Sequence, residues 1–143
     1  MTIPEILLPV FVEVLLILAL AILMGRRRFA ALRAGVVRPD DVRLGQKVWP
    51  DRAQAAANAF SNQFELPVLF FVIVPLAIIT RKADLLFVVL SWIFVISRIV
   101  HASVYVTSNA AAYRIGAFGV GALALLVMWL VFAVRILAGP LPV

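Results

Sequence analysis

The chain has 143 residues, 65% of them hydrophobic and 14% charged, with a mean hydropathy of +1.12. A soluble domain carries about 45–50% apolar and about 25% charged residues and must cover its surface with polar groups, so a water-soluble globule is excluded. The absence of cysteine excludes disulfides, thiolate metal sites and covalently attached haem, and a single histidine with few acids argues against a protein-only metal cage.

A helix needs about 20 apolar residues to cross the hydrocarbon core, and four stretches meet that length. The first, about 4–24, carries Glu13 near its middle. Positive charge follows it at Arg26, Arg27 and Arg28, the reverse of a cleavable signal peptide, so it is kept as a membrane helix. A long basic connection, 25–52, comes next. The second span, about 53–79, has an unusually polar first half and two internal prolines, Pro67 and Pro75. A tight turn (TRKAD) leads to the third span, about 85–106, and a second turn (TSNAAAYR) to the fourth, about 115–137. Short connections make sequential helices antiparallel neighbours. The expected fold is an all-α membrane protein, a four-transmembrane-helix up-down bundle forming a single membrane domain over residues 1–143.

Lysine and arginine near the helix ends set orientation. The first loop holds Arg26, Arg27, Arg28, Arg33, Arg38, Arg43, Lys47 and Arg52, and the third adds Arg114. The opposite side holds Arg81, Lys82 and Arg135. The loops rich in arginine are therefore expected in the cytoplasm, with both termini outside. The formal charge of +6 then reads as a topology determinant touching anionic headgroups, and no nucleic acid is expected as a partner.

Polar groups at membrane depth are expensive and mark candidate sites. Gln54, Asn58, Asn62 and Glu65 are spaced four, four and three apart, one stripe of a helix. Arg98, His101 and Tyr105 make a matching stripe on the third span. Because the third helix runs back toward the cytoplasm, Arg98 is expected level with Asn62. Glu65 and Arg98 are expected to form a buried ion pair or to share one polar ligand. Two readings stand side by side: a hydrogen-bonded clamp that fixes helix register, and a cytoplasm-facing pocket for a polar or anionic ligand. Glu13 suits either, across a subunit interface included. His101 has two readings as well, an axial ligand to a tetrapyrrole or a hydrogen-bond partner to Asn58 or a ligand carboxylate. Pro67 is expected to open the helix beside the pocket. Gly116, Gly119 and Gly121, with Ala117, Ala122 and Ala124, form a small-residue surface for close packing within or between subunits, and Trp92 and Trp129 are assigned to packing.

The segment NAFSNQFELPVLFF, from Asn58 to Phe71, resembles the bacterial branch of the MAPEG family, the membrane-associated proteins in eicosanoid and glutathione metabolism. The resemblance continues through SRIVHASVYVTSNAAAYR, from Ser97 to Arg114. It implies a homotrimer in the bacterial inner membrane, with ligand sites between subunits near the cytoplasmic side. It also implies glutathione as a co-substrate, held by Arg52, Asn58, Asn62, Glu65, Arg98 and His101, with Arg114 and Tyr105 as catalytic candidates and no metal. Three positions depart from the family pattern: Arg52 lies farther upstream of Pro67 than the arginine that anchors glutathione in eukaryotic members, Glu65 stands two residues before the proline rather than several, and the bacterial branch commonly has His where this chain has Tyr105. The leading functional reading is a glutathione-dependent transferase or peroxidase acting on lipophilic electrophiles. Its rivals are a non-catalytic membrane subunit that binds lipid or another membrane protein, and a tetrapyrrole-binding protein acting through His101.

Overall fold

The computed structural model describes residues 1–43 and 48–139; Lys47, counted in the basic loop, lies outside the described residues. The elements are α1 (Ile3–Arg33), α2 (Asp51–Ser61), α3 (Leu66–Ile79), α4 (Leu85–Val106) and α5 (Ala111–Leu137). A 3₁₀ turn, Asn62–Phe64, joins α2 to α3, and together they make one broken span. Among the described residues four spans are long and apolar enough to cross a membrane. The protein is a multi-pass membrane protein with an all-α, up-down arrangement.

The first helix is longer than its hydrophobic stretch. It was expected to end near residue 24, with the arginines in a loop, but α1 continues to Arg33. Arginine, alanine and leucine are strong helix formers, and cations are favoured near a helix C-terminus. Termination comes at Gly35, whose φ of 68° costs glycine nothing. Its amide donates to Leu32 O at 3.0 Å and that of Val36 to Ala31 O at 3.1 Å, the paired bonds that close a helix end. The basic connection thus starts after Arg33, and α5 starts at Ala111 rather than 115.

Two of these arginines work inside the fold. Arg27 donates to Arg52 O at 2.8 Å and to Val106 O at 3.1 Å, tying α1 to the start of α2 and the end of α4. Arg28 lies over the Trp49 ring at 4.9 Å. At the opposite end Asp84 accepts from the Phe87 amide at 3.0 Å, capping α4, and from Arg135 at 2.7 Å, tying α4 to α5. The Arg135 guanidinium and the capping amide hold the Asp84 carboxyl below the usual aspartate range.

The main core lies toward the Asp84 end, where Phe70 and Phe94 stack at 4.9 Å among Ile73, Val74, Leu125 and Met128. Trp92 and Trp129 pack against this core. A smaller cluster of Leu20, Ala59 and Ala102 sits toward the basic end; its small side chains let α1, α2 and α4 approach closely. The small-residue surface of α5 divides. Gly121 is buried against α4, where an added Cβ would collide with Ser97 Oγ, whereas Gly116 and Gly119 face open space.

Two outcomes follow from this packing. Gly121→Ala is expected to lower stability by about 1–3 kcal/mol, the usual cost of overpacking. Adding Ser97→Ala, which removes the colliding oxygen, recovers most of the loss in thermal unfolding in detergent; no recovery would contradict the close approach. Asp84→Asn is expected to cost about 0.5 kcal/mol at neutral pH, since both partners are partly exposed and exposed pairs are weak. A carboxyl with a depressed folded value contributes above its ordinary value of about 3.9, and that contribution is lost as pH falls through the lower folded value. The difference between wild type and Asp84→Asn should therefore begin to shrink below about pH 4 and vanish only once the pH has fallen through the lower folded value.

Candidate functional site

The break between α2 and α3 builds the site. Proline lacks an amide hydrogen, and its ring clashes with the carbonyl four residues back; for Pro67 that carbonyl is Gln63's. A continuous helix through 62–67 is therefore disfavoured. The turn Asn62–Phe64 forms instead, and Glu65 takes φ −99° and ψ −102°. The carbonyl of Asn62 lies at this break, at membrane depth, where an unpaired backbone group costs several kcal/mol.

Arg98 of α4 satisfies it. The Arg98 side chain, 0% exposed, donates from Nη2 to Asn62 O at 3.1 Å, to Asn62 Oδ1 at 2.5 Å and to Gln63 Oε1 at 3.5 Å. Asn62 passes the connection on, donating from Nδ2 to Glu65 Oε2 at 3.0 Å. The expected Glu65–Arg98 ion pair is not what forms: Asn62 stands between the two charges, and Glu65 is exposed on the outer surface. Gln63 is buried and donates to Ala59 O at 3.2 Å. The four-residue periodicity passed over it, because that periodicity assumes an unbroken helix. The Pro67 clash was the signal that could have found it.

His101 lies one turn further along α4. Its Nδ1 donates to Arg114 O at 2.9 Å, so the neutral ring leaves the Nε2 lone pair free. Asn58 is not its partner; Asn58 instead accepts from Gln54 at 2.7 Å on the exposed face of α2. The His101 ring is 4% exposed and flanked by Tyr105 at 5.7 Å and Phe118 at 5.8 Å. An axial tetrapyrrole would need an open face at that nitrogen. Arg98, Arg114 and Glu65 all act electrostatically on His101. The Arg114 guanidinium lies 4.3 Å from the Tyr105 ring centre and hydrogen-bonds Asn109, a residue held in the left-handed region (φ 51°).

Among the described residues the two polar stripes thus hydrogen-bond to each other at one point, Arg98 with Asn62. Elsewhere α2 turns alanines inward, Ala53, Ala56, Ala57 and Ala59 being buried, and presents Arg52, Asn58 and Glu65 outward. The expectation of facing stripes is corrected accordingly. Glu13, which suited either reading of the polar cluster, is fully buried within the chain. Among the described residues no group of three His, Cys, Asp or Glu side chains is arranged to hold a metal ion.

The site therefore joins a buried clamp (Arg98, Asn62, Gln63) to an outward polar edge (Arg52, Gln54, Asn58, Glu65), with Arg114 and Tyr105 at the turn between α4 and α5. A family model described as the MAPEG family matches residues 6–134. No curated protein and no solved structure gives a match.

The geometry separates Glu65 from Arg98 in a measurable way. Arg98→Met, which strands Asn62 O, is expected to cost about 2–4 kcal/mol, whereas Glu65→Gln should cost less than about 0.5 kcal/mol, as exposed substitutions do. The double reversal Glu65→Arg/Arg98→Glu should be no more stable in detergent than Arg98→Glu alone. Recovery in the double variant would show a direct pair after all.

Proposed function

The chain belongs to the MAPEG family, and on that premise we propose that it is a bacterial-branch member working as a glutathione-dependent transferase on lipophilic electrophiles. It sits in the inner membrane as a homotrimer with both termini outside. The observation that carries this reading is the outward polar edge of α2. Arg52, Asn58 and Glu65 lie exposed on the surface of the single chain, within a span apolar enough to enter a membrane. Hydrogen-bonding groups do not face hydrocarbon without a cover. A second subunit together with a polar ligand supplies one.

Glutathione matches that edge chemically. Its two carboxylates suit the guanidinium groups of Arg52 and Arg114, and its amine suits the Glu65 carboxylate. Arg114 is assigned the thiolate. A free thiol has a pKa near 8.5, and an adjacent guanidinium lowers it, raising the thiolate fraction at neutral pH. Tyr105, stacked under Arg114, fixes where that guanidinium points. In the conjugation step the thiolate sulfur forms a bond to the electrophilic carbon, the carbon–leaving-group bond breaks, and the thiol proton has already passed to solvent. His101 and Arg98 hold the surrounding helices in place.

The lipophilic substrate has a surface beside this edge. Leu66, Leu69, Ala122, Leu125, Leu126 and Trp129 line an apolar groove of about 420 Å³ that begins one residue past Glu65. The same groove favours a second reading, a non-catalytic membrane subunit that binds lipid or another membrane protein there.

Calorimetry of glutathione binding in detergent, followed by conjugation of an aryl halide, separates the two. The transferase reading expects binding at millimolar glutathione or below, and a fall in kcat/KM on the order of 10²-fold for Arg114→Ala, as when one transition-state donor is lost. It also expects the pH–rate profile of Arg114→Ala to shift upward, because the thiol regains its ordinary pKa. An absence of binding at millimolar glutathione would remove the transferase reading and leave the lipid-binding one.

A further inference from the structure

Glu13 is not used by the proposed chemistry, yet it is 0% exposed, and neither carboxylate oxygen has a hydrogen-bond partner among the described residues. It belongs to the inward face of α1 with Ile6, Pro9 and Leu20, whose spacings of three, four and seven fall on one side of a helix. Arg98 mirrors it. Nη2 is occupied at the helix break, while Nε and Nη1, also buried, have no partner among the described residues. The two charges act on each other: Arg98 is the charge felt by Glu13, and Glu13 is the strongest charge felt by Arg98. Glu65 and His101 are the other titratable groups close enough to matter. Among the described residues, however, the ion pairs in direct contact are Arg43–Asp40 and Arg135–Asp84.

An ion buried alone costs several kcal/mol, and a buried pair is tolerated only when its remaining lone pairs and hydrogens are satisfied. Two oxygens of Glu13 and two N–H-bearing nitrogens of Arg98 are thus buried without a partner among the described residues. Water is the species that fits, since it needs two to four polar partners and little space. Full burial of both side chains excludes a bulky polar ligand.

We propose that Glu13 is the counter-ion of Arg98, joined to it through bridging water. In this arrangement it is a positioning residue that sets where the guanidinium meets the α2–α3 break. The rotation of α1 is thereby coupled to the shape of the broken span. This inference does not depend on whether the outer edge binds glutathione.

The test is amide hydrogen exchange on the full chain in detergent, with melting temperature measured alongside. Glu13→Gln is expected to speed exchange over residues 62–66 on the order of tenfold, local opening being set by the interactions that close a segment. Leu20→Ala, a packing loss on the same face of α1, should affect those amides no more than the rest of the bundle. Glu13→Asp keeps the charge, and a water bridge absorbs the missing methylene, so exchange should stay within about twofold of wild type. In an Arg98→Met background, Glu13→Gln should add no exchange and should raise the melting temperature, because it removes a charge left without a partner. If Glu13→Gln alone does not fold, recovery of folded protein in the Glu13→Gln/Arg98→Met double variant carries the same conclusion. The proposal is overturned if Glu13→Gln loosens residues 62–66 no more than Leu20→Ala does, or if its effect is unchanged in the Arg98→Met background.

Discussion

One guanidinium at membrane depth has to be fully satisfied, and much of the bundle is arranged around that requirement. Arg98 cannot snorkel to water from a position with no exposure, so its donors need acceptors from the fold. A continuous second helix would offer no backbone acceptor, because its carbonyls would be engaged along its own axis. At the break before Pro67, Arg98 reaches the Asn62 carbonyl together with the side-chain oxygens of Asn62 and Gln63. Each defect therefore stabilises the other: Asn62 O at the break loses its Arg98 donor if Arg98 is removed, and Arg98 loses a backbone acceptor if the helix is made continuous.

This pairing explains how the second span is divided. Beyond the break α3 is apolar and joins the main core through Phe70, Ile73 and Val74. Before it, α2 packs through alanines and turns its polar residues outward. The bundle thus has a dry half toward Asp84 and a half toward the basic end in which polar groups reach the surface. Arg27 holds that second half together by bonding backbone carbonyls of both α2 and α4.

The sequence made the four spans legible, because 20-residue apolar stretches separated by arginine or by tight turns allow few alternatives. It also made legible that Asn62, Glu65, Arg98 and His101 belong to one region. Their partners were less readable. Spacing arguments assume one helical phase, and the break changes that phase between Asn62 and Leu66, so Gln63 turns inward and Glu65 outward. His101 found a backbone carbonyl, Arg114 O, and backbone acceptors carry no side-chain signature. The extension of α1 through Arg33 was missed because charge was read as the end of a membrane helix, whereas Arg, Ala and Leu continue a helix readily in water. Glu13 had no partner legible in sequence, since its proposed counter-ion lies 85 residues away on α4.

The claim on which the rest depends is that Arg98 closes the helix break through Asn62. A double-mutant cycle of Arg98→Met and Asn62→Ala, followed by thermal or denaturant unfolding in detergent, measures the part of this contact carried by Asn62 Oδ1, since the substitution keeps the backbone carbonyl. A coupling of about 1.5–3 kcal/mol is expected, the range for hydrogen bonds to a charged group. Additivity to within about 0.5 kcal/mol, the behaviour of independent sites, would contradict it.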